Sequence, residues 1–114
     1  MPPARPLVHV VAGVLRDTEG RVLITQRPVG KSQAGRWEFP GGKKGDDEGR
    51  FDALRREFRE ELGLLVSHAR PLIRYRHDYP DISVDLDVWL IRQCRGEPRG
   101  PRADDGHLFA GAPR

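Results

Sequence analysis

Residues 7–15 (LVHVVAGVL) are almost continuously apolar and rich in β-branched side chains, the pattern of a strand covered on both faces. A polar turn at residues 17–20 closes on Gly20, and residues 21–26 (RVLITQ) alternate, so the pair is predicted to form an antiparallel hairpin. Residues 28–36 mix proline, glycine and small polar residues and read as a loop; residues 37–40 are a short extended piece stopped by Pro40 before Gly41 and Gly42. The spacing of Phe51, Leu54, Phe58, Leu62 and Leu65 then predicts a helix over residues 50–62 with one apolar stripe toward the core. Asp47 or Gly49 is placed to cap its start, and Gly63 to end it in a left-handed conformation. Residues 71–77 and 83–91 read as two more strands, joined by a turn at residues 78–81. Val84, Leu86, Val88 and Leu90 share one face of the second; Asp85, Asp87 and Trp89 share the other, which is expected to be solvated or to face a polar cleft. Residues 96–114 hold few apolar side chains, have little to bury and are suited to disorder.

Length and charge narrow this picture. With 114 residues the chain has room for one domain, and 37% apolar residues implies a modest core. A net charge of +3 favours an anionic partner such as a nucleotide, a polyphosphate or nucleic acid. Cys94 is the single cysteine, which excludes an internal disulfide or a multi-cysteine zinc site and fits a reducing cytoplasm. No segment approaches the ~20 apolar residues that span a bilayer, so the expectation is a soluble cytoplasmic protein with no membrane partner.

The chemistry concentrates between residues 41 and 64. Glu57, Glu60 and Glu61 stand at i, i+3 and i+4, on one side of the helix and turned away from the apolar stripe. Three carboxylates that close repel one another, and Mg²⁺ or Mn²⁺ bound by their oxygens would relieve the repulsion. An ordinary surface helix is the competing reading, with Arg55, Arg56 and Arg59 paired to these acids. Such a helix has no need of Gly41, Gly42 and Glu48 at fixed distances upstream. In the metal reading Gly41 offers a backbone carbonyl to the cation and Lys43 meets a phosphate. Taken alone, Arg27 at a strand exit reads more readily as a surface charge than as a base reader, and Trp37 and Phe39 more readily as core than as stacking platforms. His9, His68, His77 and His107 show no ligand spacing.

Gly42, five residues, Glu48, seven residues and then residues 56–64 (REFREELGL) resemble the Nudix box, and residues 37–42 (WEFPGG) look like the lead-in of its MutT-like branch. Residues 24–27, 79–81 and 96–98 extend the similarity to about four fifths of the chain. The resemblance implies an α/β fold, a Nudix-type α/β/α sandwich around a mixed sheet. It implies attack of water on a nucleoside triphosphate to give the monophosphate and pyrophosphate, with oxidised guanine nucleotides such as 8-oxo-dGTP as the usual substrate class. By position, Glu57, Glu60, Glu61 and the Gly41 carbonyl would hold the metal, Arg56 would steady the acids, and Glu48 would support the loop. Lys43 would contact phosphate, Arg27, Phe39 and Tyr79 are candidates for the base pocket, and the identity of the general base is left open.

The chain departs from the pattern after residue 98. A further metal-linked glutamate, a last strand and a C-terminal helix covering the sheet are not recognisable in residues 99–114, so the Nudix domain is assigned to residues 1–98 and an atypical tail to 99–114. Lack of the helix predicts an uncovered sheet face and a homo-oligomer that covers it. An alternative reading is a catalytically weak Nudix-fold module that binds nucleotides or a partner. Nucleic acid is not expected, because the basic excess is small and no aromatic-basic stripe is present.

Overall fold

The computed structural model describes residues 5–26 and 36–96 and the backbone of residues 107–110. Strands β1 (Leu7–Val14), β2 (Val22–Gln26), β3 (Trp37–Glu38) and β4 (Gly41–Lys43) precede helix α1 (Arg50–Leu62); β5 (Leu65–Asp78), β6 (Ser83–Arg95) and β7 (His107–Ala110) follow it. They form a mixed four-stranded sheet in the order β4-β1-β6-β5 and a three-stranded sheet in the order β3-β2-β7. β1 runs parallel to β6 and antiparallel to β4, and β5 is antiparallel to β6. This is the expected α/β architecture. Helix α1 is the one helix among the described residues, and none of these is long and apolar enough to cross a membrane.

The α1 stripe forms as its spacing predicts: Leu54, Phe58 and Leu62 are fully buried with Ala53, and they pack with Val11, Leu23, Leu64, Val66, Trp89 and Ile91. Leu65 leaves the stripe. Gly63 adopts φ 71°, its N–H bonds the carbonyl of Arg59, and the chain turns into β5 with Leu65 exposed. At the other end Gly49 is the N-cap and offers no side-chain hydrogen bond, so the Asp47 alternative fails.

Several pairings differ from the expectation. β1 and β2 do not pair as a hairpin: they belong to different sheets, and the connection between them is closed by the bridge between Arg16 and Val22 and by the bonds from Leu23 N–H to the Leu15 carbonyl and from Asp17 N–H to the Arg21 carbonyl. An apolar run marks a strand but not its neighbour, and β1 is occupied on both edges by β4 and β6. β5 begins at Leu65 and not at residue 71, and shifts of register between Val66 and His68 and between Pro71 and Ile73 blur its alternation. In β6, the face bearing Asp85, Asp87 and Trp89 is not solvated. Asp87 is 5% exposed and Trp89 7%, and Phe51 of α1 stacks on Trp89 at 5.7 Å between ring centroids. Beyond residue 98, β7 pairs with Val22 to Thr25 of β2, a strand that the composition of the tail gives no reason to expect.

Candidate active site

Glycine is required twice where β4 meets the rest of the site. A Cβ on Gly41 would lie 2.0 Å from the Val11 carbonyl oxygen, so the close pairing of β4 with β1 depends on its absence. A Cβ on Gly42 would meet the Glu57 carboxyl carbon at 2.5 Å. The Glu57 carboxylate therefore lies directly against the Gly42 backbone, which joins the glycine pair to the acidic face of α1.

Arg56 is the hub of the loop and helix. Its guanidinium donates to both oxygens of Glu48 at 3.0 and 2.7 Å, to Glu57 at 2.9 Å, to Glu60 at 3.2 Å and to the Lys43 carbonyl at 2.9 Å. Glu48 also accepts the Gly45 N–H at 2.8 Å, which ties the turn between β4 and α1 to the helix. Arg56, followed by the Gly45 N–H, holds the Glu48 carboxyl down at about 2. Glu48, followed by Glu57, raises Arg56 further above its ordinary value.

Glu61 behaves in the opposite way. Its carboxyl is pushed up to about 7, first by burial and then by the charges of Glu57, Glu38 and Glu60 and a hydrogen bond with Glu57. By accessible surface the residue as a whole is exposed, so the upward push reflects the crowding of protein and acidic groups around the carboxyl and not an enclosed side chain. Glu38 of β3 is an acidic neighbour that the helix spacing could not reveal, because it comes from another sheet.

The arrangement suits a divalent cation in its donor chemistry. Of the charges that push the Glu61 carboxyl up, Glu57 acts most strongly, so the pair resists carrying two negative charges, and no side chain stands between Glu57 and the Gly42 backbone. The structure does not gather all the sequence-predicted acids, however. Glu60 is drawn to Arg56, and among the described residues no three Asp, Glu, His or Cys side chains converge as a ready-made metal site.

Of the remaining candidates, Lys43 is exposed and Phe39 is 42% exposed. Trp37, at 37%, is likewise outside the core. Tyr79 is half-buried, and with Arg36, Tyr75, His77, Val84 and Leu86 it lines a cavity of about 230 Å³. Arg27 lies outside the described residues.

The pattern of the NUDIX domain family matches residues 11–110. The 8-oxo-dGTP diphosphatase of Proteus vulgaris is 40% identical over 90 residues, covering 79% of this chain and 80% of that protein. The CTP pyrophosphohydrolase of Escherichia coli (strain K12) is 34% identical over 90 residues, 79% of this chain and 66% of that protein. The crystal structure of the MutT NUDIX hydrolase from Burkholderia pseudomallei aligns with a TM-score of 0.78 and 28% identity over 90% of this chain and 79% of that one. With the box intact from Gly42 to Leu64 and the match running through β1 to β7, the chain belongs to the Nudix hydrolase family, in its MutT-like branch.

Proposed function

We infer that this protein is a Nudix pyrophosphohydrolase that cleaves a nucleoside triphosphate to the monophosphate and pyrophosphate with Mg²⁺ or Mn²⁺. The observation that carries the reading is the Glu57 carboxylate against Gly42 with Glu61 beside it, inside a matched Nudix box. Glu57 and Glu61, with Glu60 and the Gly41 carbonyl, are assigned as the metal ligands; Glu60 must exchange its bond to Arg56 to join them. When bound, such a cation withdraws charge from the phosphates and lowers the pKa of a coordinated water. Arg56 and Glu48 hold the acidic face and the loop in register, so the ligands need not reorganise on binding. Lys43 extends from the end of β4 and is assigned to a phosphate.

The relatives bear on the base in two ways, one being named for 8-oxo-dGTP and one for CTP. Tyr79, in its cavity with Tyr75 and His77, supplies aromatic surface suited to a nucleobase; Phe39 does not line that cavity, and Phe39 and Arg27 are kept as base contacts on the family resemblance alone. The substrate is thus proposed to be a free nucleotide, oxidised guanine among the candidates, and nucleic acid is not part of the proposal. A cytoplasmic location suits a nucleotide-pool enzyme and the single free cysteine.

The second reading, a nucleotide-binding module with little turnover, draws on the absence of a three-acid cluster among the described residues. A panel of 8-oxo-dGTP, dGTP and CTP with and without Mg²⁺, followed by monophosphate and pyrophosphate release, separates the two. Metal-dependent release of both products supports the enzyme. Tight nucleotide binding without metal-dependent release supports the module.

A further inference from the structure

Arg50 is the first residue of α1, and its guanidinium grips a carboxylate 37 positions further along the chain. Nε donates to one oxygen of Asp87 at 2.6 Å and Nη2 to the other at 2.8 Å, a two-pronged pair. Asp87 lies in the middle of β6 and is 5% exposed, and the guanidinium also lies over the Trp89 ring at 5.1 Å from its centroid. Burial is the largest single influence on Asp87 and opposes its charge; the contacts from Arg50 and Trp89 and the charge of Arg74 together outweigh it, so the carboxyl stays below its ordinary value. No side-chain cap orders this end of α1, and the pair joins its first turn to the sheet beside the stack of Phe51 on Trp89.

The place where this tie lands matters for the site. Asp87 is paired across the sheet with Val11, and Val11 with Gly42, so the three stand in one row over β6, β1 and β4. Arg50 rests on Asp87 at one end of that row, and Glu57 rests on Gly42 at the other. Two strand spacings amount to ~9.6 Å. Seven residues of helix rise ~10.5 Å. The helix is thus held across the sheet at two points of one row, by the Arg50–Asp87 pair and by the contact of Glu57 with Gly42.

We propose that Arg50 and Asp87 are positioning residues for the metal-binding face of α1, acting through the helix on Glu57 and Glu61. The proposal rests on the assignment of those glutamates as metal ligands, and it differs from a purely stabilising role in what it moves. The test uses Arg50→Gln, Arg50→Lys and Asp87→Asn, with Arg76→Gln as a control that loses the surface contacts to Asp78 and Ser83. Mn²⁺ affinity is measured by electron paramagnetic resonance on protein shown to be folded by near-ultraviolet circular dichroism, and kcat and KM are measured for the nucleotide found in the panel.

Arg50→Gln and Asp87→Asn are expected to weaken Mn²⁺ binding about tenfold and to lower kcat, the low end of what loss of a ligand-orienting partner costs. KM for the nucleotide at saturating metal stays within about twofold, since neither residue is placed against substrate. Arg50→Lys recovers part of the affinity, because it keeps the charge but not the fork. Arg76→Gln binds Mn²⁺ as the parent does. Folded Arg50→Gln and Asp87→Asn proteins with parental Mn²⁺ affinity would overturn the proposal, as would loss of folding in all three variants, which makes the pair a stability element alone. A parent that binds Mn²⁺ but hydrolyses no nucleotide overturns the enzymatic reading while the clamp is still decided by Mn²⁺ affinity.

Discussion

The two glycines of β4 are adjacent yet have different neighbours, and their substitutions should separate fold from function. Gly41→Ala drives a Cβ into the Val11 carbonyl, a backbone atom that cannot swing away, so β4 must part from β1. The expected result is a loss of about 1–3 kcal/mol in urea unfolding, the usual cost of overpacking. Gly42→Ala presses on the Glu57 carboxylate, the far end of a flexible side chain, so the fold survives and the carboxylate moves. Its thermal midpoint should stay close to the parent's while metal affinity falls about tenfold or more. Glu61 gives a second test at this scale. Its folded pKa of about 7 lies above the ordinary 4.5, so the folded state binds the proton more tightly than the unfolded chain. The stability it contributes is complete below about pH 4.5 and is lost as pH rises from there through 7. Metal-free protein should therefore show part of its decline in melting temperature over that window, and Glu61→Gln should remove that part. An unchanged pH profile in Glu61→Gln would contradict the crowding of carboxylates described above.

At the scale of elements, α1 carries both the core and the acidic face, which makes its interior the most sensitive place for stability. Phe58 is fully buried, and a Cβ on Gly13 would come within 2.6 Å of its ring, so strand and helix are in close contact there. Phe58→Ala should cost about 3–5 kcal/mol in denaturant unfolding. The helix was legible from the 3-4 spacing of Leu54, Phe58 and Leu62 because local periodicity and burial coincide there. Strand pairing was less legible. Nothing in the run from Leu7 to Val14 indicates that its neighbours are β4 and β6, since partner choice is settled by contacts distant in sequence. Asp87 reads as an outward-facing residue in any alternation scheme; it is buried because Arg50 neutralises it from another element. The glycine and glutamate spacing revealed the box, whereas Glu38 and Arg50 came to the site only through tertiary packing.

For the whole molecule, the long edge strand β5 is the surface most exposed to association. Leu72 and Ile73 are each about half exposed on it, and among the described residues β5 is an outer strand of the four-stranded sheet. A dimer that covers this region is the expected solution state, and light scattering should return a mass near twice 12.9 kDa. A monomer mass at working concentration, or a dimer undisturbed by Ile73→Lys, would contradict it. Activity is assigned to the acidic face of α1 set against the glycine loop. Its most direct test is the Mg²⁺-dependent rate of pyrophosphate release from 8-oxo-dGTP or CTP by the parent and by Glu57→Gln, both verified as folded. The expected rate requires Mg²⁺ in the parent and falls by two orders of magnitude or more, roughly the scale of a lost catalytic contact, in the variant. Equal rates in the two proteins, or a parental rate indifferent to Mg²⁺, would contradict it.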